Sequence, residues 1–143
     1  MKRFFTGLVI SLFFTTVLCG QKIEKTKISL TEIEKSALKV ANQQLTAYNN
    51  RDIDAFADAY SDSIKIYTFP DKLNYVGKET LRKRYGDMFE RCPNLHCTLV
   101  SETVKGNKVI HEESVIFDDP EKPVHAVAIY IVENGKITAA YFL

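Results

Sequence analysis

The polar side chains of one segment, VIHEESVIF at residues 109–117, are the first candidates for chemistry in this sequence. Successive residues of a β-strand point to opposite faces, so Glu112 shares one face with Ser114. His111 and Glu113 lie on the other face. A buried carboxylate can transfer a proton, and a histidine beside a carboxylate can do acid–base work or bind a metal. Only one of the two faces can line an interior, and alternation alone leaves both open.

Three helices precede this segment in the chain. TEIE at residues 31–34 is a capping box that starts a long first helix, whose apolar stripe is expected to include Ile33. Asp52 caps a short second helix, and residues 78–91 form a third helix that ends before Pro93. These helices must cover the interior that the later strands create.

Alternating apolar and polar residues predict the strands, at residues 64–68, 74–77, 95–104, 108–117, 124–132 and 136–143. Gly106-Asn107 and Asn134-Gly135 suit tight hairpin turns. Helices followed by an antiparallel meander predict an α+β fold in which three helices pack on one face of a curved, mainly antiparallel sheet. A sheet that curls around helices leaves a cone-shaped cavity between the two layers.

The N-terminal residues indicate export. Lys2 and Arg3 precede an apolar run that continues to Leu18, which is typical of a signal peptide covering residues 1–20. A periplasmic or secreted location follows from it. Cys19 leaves a bacterial lipoprotein as the alternative, and only lipidation there would bring the protein to a membrane.

The rest of the chain has the size and composition of one globular domain. Residues 21–30 are interpreted as a polar tether and residues 31–143 as the folded domain, in a chain of 143 residues that is 45% hydrophobic and 26% charged. The net charge of +1 argues against nucleic-acid binding. The sequence has no phosphate-binding loop, Ser-His-Asp arrangement or run of metal ligands, so we expect no cofactor and no metal.

Two further cysteines, Cys92 and Cys97, flank His96 in the motif RCPNLHC. In an exported protein such a pair can form a disulfide, and it can equally remain as two buried thiols. A structural zinc site needs a second cluster of ligands, which makes metal binding the weakest of the three hypotheses.

Four short motifs together resemble the nuclear transport factor 2-like superfamily, which includes ketosteroid isomerase and SnoaL-like polyketide cyclases. They are NNRDID at residues 49–54, AYSDSI at 59–64, GKETL at 77–81 and ENGKI at 133–137. The resemblance covers nearly the whole mature chain and implies a cone-shaped fold with an apolar pocket. It also implies a homodimer through the outer face of the sheet. It implies no single activity, because this scaffold hosts isomerases, cyclases, hydrolases and non-catalytic binders.

The acids of the isomerase are replaced in this sequence. The resemblance matches its general-base aspartate to Thr68, its oxyanion-hole tyrosine to Gln44 and its protonated aspartate to the neighbourhood of Ala128. Neither threonine nor alanine can take over the aspartate roles near neutral pH. Tyr85 matches a supporting tyrosine of that pocket, and its hydroxyl is expected to reach Gln44.

The resemblance favours the Glu112 face of residues 109–117 as the face that lines the pocket. An interior Glu112 needs a cation, and Arg84 on the third helix is its predicted partner; the alternative is a carboxylate satisfied at the rim. His111 and Glu113 would then lie on the dimer face, where a structural role is favoured. The expected ligand-binding residues are Gln44, Tyr48, Tyr60, Thr68, Arg84, Tyr85, Ser114, Tyr130 and Phe142.

The pattern as a whole predicts an exported protein that binds a small, mostly apolar ligand without catalysis, since the pocket scaffold is kept and the isomerase acids are lost. The alternative is an enzyme of the cyclase or isomerase type. In that case Glu112 is the catalytic proton-transfer group, or His111 in its place.

Export of the precursor with cleavage before Gln21 is the expected outcome of the signal sequence. N-terminal sequencing and intact-mass measurement of the protein recovered outside the cytoplasm should give a chain that begins at Gln21. A chain that begins at Cys19 with added lipid mass would establish the lipoprotein instead. An uncleaved chain that stays in the cytoplasm would contradict export.

Overall fold

The computed structural model describes residues 29–143. The predicted signal peptide and residues 21–28 of the tether lie outside the described residues. In chain order the elements are α1 (Glu32–Asn50), α2 (Ile53–Asp58), β1 (Tyr60–Thr68), β2 (Lys72–Val76), α3 (Lys78–Arg91), β3 (His96–Lys105), β4 (Lys108–Ile116), β5 (Val124–Glu133) and β6 (Lys136–Phe142). The predicted order of helices and strands is confirmed. No helix in this part of the chain is long and apolar enough to cross a membrane.

The six strands form one curved sheet in the order β2-β1-β6-β5-β4-β3. Neighbouring strands run antiparallel, except that β1 and β6 are parallel. The helices pack on one face of the sheet, with α1 lying across β3, β4, β5 and β6. This is the predicted α+β architecture, and a site can form in the space between the two layers.

Hydrogen bonds fix both ends of α1 to the β3–β4 hairpin. The start of the helix is bonded to the turn of the hairpin, and its end is bonded to strand β3. At its start, the Glu34 carboxylate accepts hydrogen bonds from the N–H groups of Thr31 (2.9 Å) and Gly106 (3.2 Å). The Thr31 hydroxyl accepts from the Glu34 N–H (3.2 Å), which completes the predicted capping box. These backbone donors hold the pKa of Glu34 below its usual range. At its end, the Asn49 amide donates to the Cys97 carbonyl (2.9 Å) and accepts from the Cys97 N–H (2.7 Å).

Two local predictions differ from the structure. β1 begins at Tyr60 rather than at residue 64, because Tyr60 already pairs with Ile137 of β6. Ile33 is 63% exposed, whereas the neighbouring Glu34 is buried. The first turn of α1 therefore turns its capping carboxylate, and not an apolar residue, toward the sheet.

Candidate functional site

The inner face of β4 carries His111 and Glu113, not Glu112. His111 is fully buried and Glu113 is 6% exposed. Glu112 is exposed on the opposite face, where its carboxylate accepts a hydrogen bond from the Ser101 hydroxyl (2.9 Å). The prediction that Glu112 and Ser114 look into the interior is therefore wrong.

The small side chains of β5 explain this orientation of β4. Ala128 lies directly opposite His111, and Ala126 lies opposite Glu113. Two methyl groups at these positions leave room on the inner face for an imidazole, a carboxylate and the covering helices. Each face of β4 carries two aliphatic side chains, so the strand's own pattern does not distinguish them.

A cavity of about 190 Å³ lies between the helices and the inner face of the sheet. Six of the ligand-binding residues predicted from the sequence lie in its wall, namely Gln44, Tyr48, Tyr60, Tyr85, Tyr130 and Phe142. Their contact with a ligand remains a prediction. The structure adds eight lining residues: Leu45, Phe56, Met88, Cys97, Glu113, Val115, Phe117 and Ala126.

Thr68, Arg84 and Ser114 do not line this cavity. Thr68 is exposed at the end of β1, where its hydroxyl accepts a hydrogen bond from the Asn74 amide (3.1 Å). The exposed Arg84 guanidinium lies 4.7 Å from the centroid of the Tyr75 ring. The predicted ion pair between Arg84 and Glu112 is absent from this part of the chain, because Glu112 lies on the sheet face away from the helices.

A chain of hydrogen bonds crosses the cavity wall. The Tyr60 hydroxyl donates to the Gln44 carbonyl oxygen (3.2 Å), and the Gln44 amide donates to the Tyr130 hydroxyl (3.1 Å). The Tyr130 hydroxyl in turn donates to the Glu113 carboxylate (3.4 Å). Gln44 thus bonds Tyr60 and Tyr130 instead of Tyr85, which corrects the expectation for Tyr85. All four linked side chains are buried, so the chain fixes their orientation.

His111 lies between two carboxylates behind the cavity wall. Its Nε2 is 2.9 Å from Glu102 Oε2, and its Nδ1 is 3.6 Å from Glu113 Oε1. The ring packs edge to face on Tyr130 with centroids 5.4 Å apart. Glu102 is 26% exposed at its side chain and also accepts from the Asn42 amide (3.0 Å). His111 thus connects Glu113 in the cavity wall to the Glu102 carboxylate, which reaches solvent.

Glu102 is the residue of this cluster that sequence reasoning missed. A register shift between Leu99 and Ser101 inserts an extra residue into β3. After this bulge Glu102 pairs with His111 and faces inward. A bulge of this kind leaves no signal in the alternation of the segment, so only the paired strand reveals it.

A domain model described as a SnoaL-like domain matches residues 41–140, which run from the second half of α1 to within β6. The chain belongs to the SnoaL-like domain family. No curated protein matches it significantly.

Solved structures similar to this SnoaL-like domain agree on the fold. An uncharacterised cystatin-fold protein from Novosphingobium aromaticivorans is 24% identical, with a TM-score of 0.69, covering 75% of this chain and 97% of its own. An NTF2-like protein of unknown function from Burkholderia xenovorans is 20% identical, with a TM-score of 0.65 and coverage of 79% and 85%. An LEH-like epoxide hydrolase from M. tuberculosis is 18% identical, with a TM-score of 0.63 and coverage of 76% and 82%. At these identities the likeness shows the fold alone, and it agrees with the predicted fold. The family itself is shown by the match of the domain model.

Burial keeps the phenols of this SnoaL-like domain in their neutral form. Desolvation raises the pKa of Tyr60, Tyr85 and Tyr130 well above the usual value, and the negative charge of Glu113 raises it further. Burial likewise raises the pKa of Tyr48. These hydroxyls therefore act as hydrogen-bond donors and not as bases.

Cys97 lies in the cavity wall as a free thiol, and Cys92 is also free. Burial, and after it the charge of Glu113, raises the pKa of Cys97 to about 12. Because the thiolate is the nucleophilic form, Cys97 is an inert part of the wall. Of the alternatives left open by the sequence, two free thiols is the arrangement that the structure contains.

A larger surface groove of about 590 Å³ runs beside α1, α2 and the β5–β6 turn. Its polar side chains include Lys39, Gln43, Asp52 and Asp58, all of them exposed to solvent. Exposed groups of mixed charge bind small molecules weakly, because water competes for every contact. The smaller cavity, with its buried and oriented polar groups, is the better candidate site.

Proposed function

We propose that this SnoaL-like domain binds a small, mostly apolar molecule in the cavity between its helices and its sheet. One observation carries the proposal: about 190 Å³ stays open between the helices and the sheet, with buried polar groups fixed in its wall. These polar groups hydrogen-bond one another, so their orientation is set before any ligand arrives. A ligand with one or two polar atoms can bind to the donor and acceptor positions that remain open toward the cavity.

The wall indicates what shape of molecule fits. Rings from Tyr48, Phe56 and Tyr85 offer flat apolar surfaces, and the centroids of Phe56 and Tyr85 are only 4.5 Å apart. The cavity is smaller than the roughly 300–1,000 Å³ of sites that take drug-sized ligands. A compact molecule with one ring and a short polar substituent matches this volume.

Filling the cavity should abolish binding while the fold survives. Ala126 lies in the wall, so Ala126→Phe places a ring in the open space. A fragment panel of small aromatic alcohols, ketones, phenols, acids and amines is followed by thermal shift. A fragment present at 100 times its Kd should stabilise the wild type by about 2.7 kcal/mol. Ala126→Phe should show no such shift.

Glu112→Gln is the matched control, because Glu112 lies on the outer face of the sheet. It should respond to the fragments as the wild type does. A panel in which no fragment stabilises the wild type, or in which Ala126→Phe still responds, would remove the support for a ligand in this cavity.

A second candidate function is proton transfer at carbon, and the arrangement of Glu102, His111 and Glu113 favours it. Glu113 is the one carboxylate in the cavity wall among the described residues, whereas Glu112, which the resemblance favours, faces away. In such a reaction the Glu113 carboxylate takes a proton from a carbon next to a carbonyl, and the electron pair moves to the carbonyl oxygen. The proton then returns to the same or a neighbouring carbon. His111 is behind the wall and would act as a positioning residue for Glu113.

Exchange of carbon-bound hydrogen tests this candidate directly. With 2-indanone in D₂O, a base in the cavity should replace the hydrogens beside the carbonyl by deuterium, which NMR follows as loss of the proton signal. Glu113→Gln should slow the protein-dependent exchange by about 10²-fold or more, as for loss of a general base. Glu112→Gln should leave it unchanged. Equal exchange rates for Glu113→Gln and the wild type would exclude Glu113 as the base.

We also propose that the domain forms a homodimer through the outer face of its sheet. Ile110 is 39% exposed there, and Tyr67 stacks on Tyr141 with ring centroids 4.7 Å apart. Val127 and Ile129 extend this apolar surface along β5. Contiguous apolar surface of this kind on a sheet favours pairing with a second copy.

A charge on that surface should separate the two copies. Ile110→Glu is expected to shift the sedimentation equilibrium mass from dimer to monomer, because pairing would bury an uncompensated carboxylate. Ile33→Glu adds the same charge at a 63% exposed position of α1 and should leave the dimer intact. A wild-type protein that sediments as a monomer at micromolar concentration would contradict the dimer.

Finally, we propose that the domain acts outside the cytoplasm, in the periplasm or as a secreted protein. The support is the N-terminal sequence, with its basic start and its apolar run to Leu18. N-terminal analysis of the exported chain distinguishes a free domain from one held to a membrane by lipid on Cys19.

A further inference from the structure

The charges around the cavity are unbalanced. Seven of its fourteen lining residues are aromatic, one is a glutamate, and none is lysine, arginine or histidine. Glu113 is therefore the only charged group that a bound molecule would meet among the described residues. Glu113 is 6% exposed, so water does little to screen its carboxylate.

The protein compensates this carboxylate only in part. Its contacts are the Tyr130 hydroxyl at 3.4 Å, His111 Nδ1 at 3.6 Å and the neutral thiol of Cys97, which also hydrogen-bonds to it. His111 makes its shorter contact, 2.9 Å, with Glu102. Two carboxyl groups thus share one imidazole. Buried carboxylates in proteins are normally paired with a cation, and the cavity side of Glu113 has no cationic side chain among the described residues.

Besides Glu113, the aromatic rings of the wall can contact a bound cation. Phe56 lies 5.1 Å from Tyr60 and 4.5 Å from Tyr85 between ring centroids, which places three rings around one side of the space. The faces of aromatic rings carry partial negative charge and attract ammonium groups. Tyr48 and Tyr130 add two further rings to the wall.

We propose that the cavity binds a small organic ammonium ion, with its nitrogen against Glu113 and its carbon skeleton among the aromatic rings. The proposal rests on the proposed function, since it specifies the class of ligand for the same cavity. An anion would meet Glu113 without any cationic side chain in the wall, and a neutral molecule would add no positive charge beside the carboxylate. An ammonium ion matches both the charge and the rings.

Three probes of nearly equal size separate the effect of charge from the effect of shape. Benzylamine is a cation at neutral pH, benzyl alcohol is neutral and benzoate is an anion. Their dissociation constants are measured by NMR titration with the wild-type protein. Benzylamine should bind at least about tenfold more tightly than benzyl alcohol, and benzoate should bind most weakly.

Three variants test whether this preference arises in the cavity. Glu113→Gln keeps the size of the side chain and removes its charge, so benzylamine should lose its advantage and bind about as benzyl alcohol does. Glu112→Gln removes a charge of the same kind from the outer face and should keep the preference. Ala126→Phe should abolish binding of both probes, and it serves in place of Glu113→Gln if circular dichroism shows that the latter does not fold.

The outcomes distinguish a failure of the ammonium inference from a failure of the proposal that the cavity binds a ligand. If benzyl alcohol binds as tightly as benzylamine and Ala126→Phe abolishes both, the cavity binds ligands but the ammonium preference is overturned. If benzylamine keeps its advantage in Glu113→Gln, or if its binding survives Ala126→Phe, its site lies elsewhere and the inference fails. If benzylamine does not bind at millimolar concentration, the ammonium inference fails, while the fragment panel decides separately on the cavity.

Discussion

The cavity depends on the way in which α1 is held at both ends. Glu34 bonds the turn between β3 and β4, and Asn49 forms two hydrogen bonds with the backbone of Cys97 at the start of β3. A helix of 19 residues is about 28 Å long and is rigid over that distance. With its two ends fixed, α1 cannot settle further onto the inner face of the sheet. The space between them stays open, and Gln44, near the middle of the helix, projects into it.

Hydrogen bonds among the polar groups in that space fix their orientation. Gln44 links two tyrosines from different strands, and the second of these, Tyr130, reaches Glu113. Each hydroxyl or amide in the chain has a partner, so a ligand meets groups that are already oriented. Glu113 also shares a single imidazole with Glu102, so two carboxyl groups lie beside one basic side chain.

The two faces of the sheet have different characters. The inner face combines alanines on β5 with large polar groups on β4, which gives the cavity its depth. The outer face carries Ile110, Glu112 and the stacked pair of Tyr67 and Tyr141, which suits contact with another protein surface. A ligand site and an association surface can therefore coexist on one sheet without competing for side chains.

The sequence by itself determined the local elements. The capping box at Thr31, the cap at Asp52 and the turn at Asn134-Gly135 act through hydrogen bonds or backbone angles within a few residues, and the structure reproduces all three. It also identified most of the aromatic wall, because Tyr48, Tyr85 and Tyr130 fall on the inward faces that the helix and strand periods predict. Only the tertiary structure decided which charges enter the cavity. The two faces of β4 are equally apolar, so the choice between Glu112 and Glu113 came from the alanines of the neighbouring strand. Glu102 turns inward because of a bulge defined by strand pairing, and such contacts between distant residues have no counterpart in local sequence.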